Sequence, residues 1–249
     1  GFQETDIVAI SKPVTKFSYQ LKKPSEIRFI LEKAHHIATT GRPGPVLIDI
    51  PMNFQRVTIN PKRLKSYKPN KDKNFLNLKK EIKKIENLLI KSQKPVIILG
   101  GGIKYGKAEQ ELKYFLDKFK IPIVTTWSGV DLLAHDNASY IGNVGVYGSR
   151  AANFTVQNSD LILCLGSRLD TRVTGGNPKS FARNAKKIMV DIDKEELGKQ
   201  RGLKVDLKVK TDIKNFFKNY NNHHKINIVN DCINYNSSLL ILTFKRSVI

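Results

Sequence analysis

Acidic side chains are scarce in this 249-residue chain: 22 Asp and Glu stand against 43 Lys and Arg, a formal net charge of +21. Such an excess fits a nucleic-acid or anionic-surface partner. Most of it is lysine, accompanied by abundant Asn and Ile, which also marks a genome whose codons favour those three residues. The basic residues gather on no predicted element, and no aromatic platform alternates with them, so the solvated-surface explanation is favoured over nucleic acid. Cysteine is scarcer still. Cys164 and Cys232 lie far apart, form neither a disulfide framework nor a metal-ligand cluster, and fit a reducing compartment, so a cytoplasmic location is expected. No apolar run approaches roughly 18 residues, which excludes a transmembrane helix; no membrane partner is expected. The 16 Gly and 10 Pro are too few for a collagen-like or Pro-rich chain. No His stands at metal-ligand spacing to Cys or acids, and no Gly-x-Ser-x-Gly elbow supports a Ser-His-Asp hydrolase. No internal repeat is visible. The start at Gly1, in what reads as the middle of a domain, and the aperiodic apolar run 238–246 lead to the expectation of a fragment or truncated reading frame without a secretory leader.

What is present is an alternation of helix and strand patterns. Ser25 is an expected N-cap, followed by Ile27, Ile30, Leu31, Ala34, Ile37 and Ala38 at helical spacing, with Gly41 and Pro43 as stop signals. Val46 to Ile50 reads as a short strand of the buried parallel type. Residues 57–76, punctuated by Pro61 and Pro69 and rich in lysine, read as a linker between two domains. Beyond it, helical patterns at 78–89, 108–119 and 212–220 interleave with strands at 95–99, 121–126, 161–165, 188–193 and 203–209. The fold class expected is α/β: a doubly wound, mainly parallel sheet over 77–220, preceded by the last helix and strand of a second α/β domain over 1–56, with an unassigned tail at 221–249.

Three positions carry candidate chemistry. Gly100, Gly101 and Gly102 follow a strand, and glycines let backbone approach a phosphate. The third glycine of Gly-x-Gly-x-x-Gly is one position late, at Gly106, so a tight turn without ligand explains the run equally well. The loop from Gly166 to Gly176 carries Arg168, Asp170 and Arg172 just past a buried strand, the edge where open α/β sheets bind ligands. The alternative is that Arg168 and Asp170 support the loop and Arg172 is solvated. Asp191 at a strand end suits a ribose hydroxyl, whereas Asp193 is expected to cap the next helix. By residues alone the expectation is a nucleotide-type cofactor site of unknown chemistry.

Several segments together resemble a known family. Phe2-Gln3-Glu4-Thr5, the run Gly41-Arg42-Pro43-Gly44-Pro45-Val46-Leu47-Ile48-Asp49-Ile50-Pro51, Lys94 through Gly102, and Gly166 through Gly175 resemble the thiamine-diphosphate enzymes, above all the large catalytic subunit of acetolactate synthase, over about residues 1–220. The resemblance implies a carboligase that decarboxylates a 2-keto acid such as pyruvate and joins the fragment to a second keto compound. It implies thiamine diphosphate and Mg²⁺, an FAD-carrying central domain, and a homo-oligomer or missing catalytic domains as partners. Residue by residue, it places Gln3 near the thiazolium, Lys16 at the substrate entrance and Arg42 against FAD. Gly101 and Gly102 correspond to flavin-phosphate glycines, and Thr126 and Trp127 to a strand end beside the flavin. Val144, Gly145 and Tyr147 belong to a loop alongside it. Gly166, Arg168, Asp170, Arg172 and Val173 surround the ribityl and phosphate groups, and Asp191 and Ile192 the adenosine end. No residue of this chain is expected to bind metal. The activating glutamate would precede Gly1, and no Gly-Asp-Gly metal motif followed by Asn is found, so the thiamine site is expected to be incomplete in this chain and the chain alone inactive. Thr171 stands where acetolactate synthases usually carry a second aspartate, and Leu169, Thr171 and Trp127 look more like divergent relatives. The alternatives are a non-catalytic FAD- or nucleotide-binding module and, less favoured, a basic nucleic-acid-binding protein.

Overall fold

The apolar stripe that begins at Ile27 folds as a helix because its residues recur every three or four positions and share one face. The computed structural model describes residues 5–69, 78–199 and 202–223, and the chain divides into two units, Gly1–Lys73 and Asn74–Ile249, each with its own sheet. Gln3, expected to be catalytic, lies outside the described residues, as do residues 224–249 of the tail.

In the first unit the elements are α1 (Ile7–Ser11), β1 (Phe17–Gln20), α2 (Ile27–Thr39), β2 (Val46–Asp49) and α3 (Met52–Gln55). The strands pair in parallel, Phe17 opposite Val46 and Gln20 opposite Asp49, and α2 makes the crossover that parallel strands require. β1 is missing from the sequence expectation, since Phe17-Ser18-Tyr19-Gln20 is short and half polar. β2 is parallel as expected but only half-buried. Ser25 is not a cap: it sits inside a 3₁₀ turn, Pro24–Glu26, that leads into α2. Gly41 follows the helix at φ +66°, a left-handed value that suits glycine. The stretch expected as linker is bound as far as Tyr67. Arg28 Nη1 donates to Pro61 O at 3.1 Å, the Tyr67 amide donates to Glu32 Oε2 at 2.6 Å, and the rings of Phe29 and Tyr67 meet edge-on at 5.4 Å. Residues 70–77 of that stretch lie outside the described residues.

The second unit contains α4 (Leu78–Lys91), β3 (Pro95–Leu99), α5 (Gly102–Tyr105), α6 (Glu109–Leu116), β4 (Ile123–Thr125), β5 (Tyr140–Asn143), α7 (Arg150–Gln157), β6 (Leu161–Leu165), α8 (Thr171–Thr174), β7 (Lys186–Asp191), α9 (Lys194–Gly198), β8 (Leu207–Lys210) and α10 (Ile213–His223). All six strands are parallel, in the order β5-β4-β3-β6-β7-β8. Alternate residues feed two cores. Ile97, Leu99, Leu163 and Leu165 pack with α4, α6 and α10, while Val96, Ile98, Ile162 and Cys164 pack with Ala152 and Val156 of α7. That is why these strands read as unbroken apolar runs: both faces are covered. The doubly wound parallel sheet is therefore as expected. β5 went unrecognised because Gly142, at φ +134°, interrupts it. The helix expected at 108–119 is α6, and the additional short helix α5 stays separate from it because Gly106 packs against Ile213, whose Cγ2 would lie 2.6 Å from an added Cβ, and Lys107 turns the chain at φ +49°. Among the described residues no helix is long and apolar enough to cross a membrane.

Two expectations test these contacts. Phe115 is fully buried and meets the rings of Phe119, Phe217 and Tyr220 at 4.7, 5.1 and 4.9 Å. Phe115→Ala should cost the second unit about 3–5 kcal/mol in urea unfolding. In the first unit, hydrogen bonds from Arg28 and then from the Tyr67 amide hold the Glu32 carboxyl below its ordinary value of 4.5. A depressed carboxylate stabilises the fold above that ordinary value and ceases to as pH falls through its folded one. The protection of the Tyr67 amide, its exchange relative to the intrinsic rate at each pH, should fall as pH drops below 4.5, and Glu32→Gln should remove that dependence.

Candidate functional site at the carboxyl edge of the six-stranded sheet

Parallel strands all end on one side, and the predicted residues of the second unit follow those ends. Gly101 and Gly102 come after β3, Thr126 and Trp127 after β4, Val144, Gly145 and Tyr147 after β5, Gly166 through Val173 after β6, and Ile192 after β7, whose last residue is Asp191. Backbone bonds tie these loops edge to edge: Gly100 N donates to Leu165 O, Thr126 N to Leu99 O, Val144 N to Thr125 O and Gly166 N to Val190 O, at 2.9–3.1 Å.

The chain leaves β3 to one side and β6 to the other, so the two central loops diverge there. Counted in chain order the strands of this sheet run 3-2-1-4-5-6, and the crevice at such a reversal is where doubly wound sheets bind ligands. Its floor is made of glycine against glycine. A Cβ on Gly100 would lie 2.3 Å from Gly166 O, and one on Gly102 2.7 Å from the same oxygen, while Gly102 N donates to it at 2.9 Å. Loop packing thus accounts for the glycines at 100 and 102, and Ser128, which a Cβ on Gly101 would meet at 2.8 Å, accounts for the third. Gly176 differs. No atom lies within 4 Å of a Cβ there and its φ is not left-handed, so neither packing nor conformation requires glycine.

Of the charged residues, most are committed to the loop. Asp170 caps α8: one carboxylate oxygen accepts from the Arg172 amide at 3.0 Å and the other from Arg168 Nη2 at 3.2 Å. Arg168 Nη1 also lies 3.9 Å from Glu196, whose side chain is only 3% exposed and which Lys199 meets at 2.5 Å. These are the contacts that the loop-supporting alternative expects of Arg168 and Asp170. Arg172 is exposed, and none of the described residues takes its guanidinium. Leu169, buried at φ +49°, is in a left-handed conformation unusual for a branched side chain, held by the Ser167 hydroxyl, which accepts from its amide at 3.3 Å. Asp191 accepts from the Asp193 amide at 2.9 Å, and Asp193 caps α9 as expected. Cys164, donating to Ser167 O, has its thiol pushed up to about 12 by burial and then by Asp191, so it offers no thiolate at neutral pH.

An aromatic wall rises beside the crevice. Trp127 and Tyr147, 71% and 75% exposed, meet edge-to-face at 5.6 Å. Buried Val144 and Gly145 root the loop that carries Tyr147, and Val146 N donates to Arg172 O at 2.8 Å. Val173, half-buried, packs against the second core. Ser128, Asn153 and Glu196 were missed by sequence reasoning: each is a lone polar residue with no motif around it, and its contact, to Gly101, to Gly145 and to Arg168 respectively, joins one loop or helix to another. In the first unit the Lys16 ammonium donates to the carbonyls of Ile37, of Thr40 at 2.8 Å and of Arg42 at 2.8 Å, closing the end of α2 and bringing Lys16 and Arg42 together. Among the described residues no group of three or more His, Cys, Asp or Glu could hold a metal ion.

The parallel order and the helices covering both faces define a doubly wound α/β domain. The family model for the thiamine pyrophosphate enzyme central domain matches residues 82–219, and the chain belongs to that family. It is 38% identical over 223 residues to a probable acetolactate synthase large subunit of Methanocaldococcus jannaschii, covering 86% of this chain and 36% of that protein. It is 37% identical to the acetolactate synthase large subunit of Lactococcus lactis, covering 86% and 37% of the two chains, and 35% identical to the isozyme 2 large subunit of Escherichia coli, covering 83% and 37%. The chain thus spans little more than a third of the length of these relatives.

The glycines separate crowded positions from open ones. Gly100→Ala should cost about 1–3 kcal/mol in urea unfolding, since backbone blocks the new methyl, whereas Gly176→Ala should stay within about 0.5 kcal/mol of the parent.

Proposed function

We propose that this chain supplies the central, FAD-carrying domain of an acetolactate synthase-like carboligase, in which a 2-keto acid is decarboxylated and joined to a second keto compound. The observation that carries this reading is the strand-order reversal between β3 and β6, where the loop after β6 brings exposed Arg172, whose carbonyl accepts from Val146 N, and open space at Gly176 to the same sheet edge as the Trp127–Tyr147 pair. An anionic, flat-ringed cofactor needs a cation, close backbone and an aromatic surface, and the crevice offers all three. FAD supplies a flavin ring and a diphosphate in one molecule. In this reading Arg172, Gly101, Gly102, Gly166 and Val173 approach the phosphates and ribityl chain. Thr126, Trp127, Val144, Gly145 and Tyr147 flank the flavin, and Asp191 and Ile192 the adenosine end. Arg168 and Asp170 act by holding the loop in place. Residues 1–56 belong to a pyrimidine-binding domain, with Gln3 and Lys16 serving the thiamine side and Arg42 the flavin, and residues 57–76 join the two domains. In the relatives' company we further propose a cytoplasmic, homo-oligomeric enzyme.

Mg²⁺ does not fit the described residues, since no acidic cluster there could hold the metal. The chain's part in the reaction is to bind and orient. Two outcomes are expected. The purified protein, mixed with FAD and desalted, should retain a flavin absorption spectrum, and FAD should quench the fluorescence of Trp127, the sole tryptophan. Arg172→Ala should weaken that binding about tenfold. Failure to retain flavin, with the fold intact by circular dichroism, would sink the FAD assignment. With pyruvate, thiamine diphosphate and Mg²⁺, the 249-residue chain should form no acetolactate, and its formation would overturn the domain assignment.

A further inference from the structure

Asn153 lies on α7, half-buried, with its carboxamide turned to the loop after β5. Its Nδ2 donates to Gly145 O at 2.9 Å and its Oδ1 accepts from the Gly145 amide at 2.9 Å. One side chain thereby replaces both halves of a backbone pairing. Gly145 has little other freedom: its φ is +121°, and a Cβ there would lie 2.4 Å from Arg172 O. The next amide, Val146 N, donates to that same Arg172 oxygen at 2.8 Å, and Gly148 N donates to Gly145 O at 2.9 Å. Tyr147 sits between these two bonds and meets Trp127 at 5.6 Å.

From this chain of contacts we infer that Asn153 is a positioning residue: it fixes Gly145, hence the Val146–Arg172 bridge, and so sets the Tyr147 wall and the Arg172 loop relative to one another. Asn153 itself touches no ligand. Its consequence for flavin binding rests on the function proposed above, whereas the clamp does not.

The test compares Asn153→Ala with Asn158→Ala on the full chain. Asn158, at the far end of the same helix, donates to Phe154 O at 2.8 Å and shares helix stability without reaching the loop. Exchange of the Val146 amide is followed by NMR, since Val146 makes no bond to Asn153 and reports only transmitted loosening. In Asn153→Ala that exchange should quicken about tenfold, and FAD quenching of Trp127 should require about tenfold more FAD; Asn158→Ala should change neither. Unchanged Val146 exchange in Asn153→Ala, or an equal change in Asn158→Ala, overturns the proposal. Should the wild-type chain show no quenching by FAD, the flavin reading fails, and Val146 exchange together with the anisotropy of Trp127 still decides the clamp. If Asn153→Ala does not fold, Asn153→Asp, which keeps the acceptor for the Gly145 amide and loses the donor to its carbonyl, is read in the same way.

Discussion

The contact of Gly100 and Gly102 with Gly166 is the constraint on which the crevice depends. β3 and β6 are neighbours, so their loops leave the sheet side by side, and the first atoms past each strand would collide if either loop carried side chains. Glycine removes the collision, lets Gly102 N reach Gly166 O, and lets the two loops diverge at once. A sheet whose order reverses at this pair then has an opening there, and parallel pairing brings the ends of the other four strands to the same edge. The site is thus a product of topology before it is a product of any single functional residue.

Chemistry at that edge is shaped by which charges are already committed. Asp170, placed where sequence offers a ligand, caps a short helix, Asp193 caps another as its sequence suggests, and Asp191 accepts from the Asp193 amide. Arg168 is set between Asp170 and the buried carboxylate of Glu196. A buried carboxylate must be matched by cations to be tolerated, and here Lys199 and Arg168 do so. With these acids engaged within the loops, Arg172 is left exposed at the same edge.

Much of the second unit could be read from its residues, and the reason is burial on both faces. Runs such as Pro95 to Leu99 and Leu161 to Leu165 are apolar throughout because helices cover each side, and a fully apolar five-residue run between helical patterns has few other readings. β1 and β5 were hidden because neither carries that signal: both are half-buried, and Gly142 breaks the second. At the site, strand ends were visible and so were the residues on them. What sequence could not separate was commitment from availability. Arg168 and Arg172 are four apart in one loop, and only the three-dimensional placement of Glu196, 28 positions beyond Arg168, shows that one is held and the other is not. Gly100 and Gly176 likewise look alike as letters, yet backbone crowds the first and nothing crowds the second.

The same distinction bears on the net charge of +21. On α4, Lys79, Lys80, Lys83 and Lys84 are exposed while Ile82, Ile85 and Leu89 are buried, so the lysines occupy the outer face of an ordinary amphipathic helix. Their positions follow from helical geometry and need no polyanion to explain them. A charge excess spread over outer faces acts on solubility and long-range attraction, and salt screens it over about 10 Å at 0.1 M ionic strength. A single arginine beside open backbone in a crevice acts at contact distance, where dielectric screening is weaker. Arg172 is one of 43 basic residues, and in the function proposed above it is this one position at the carboxyl edge of the sheet, rather than the total, that meets the anionic ligand.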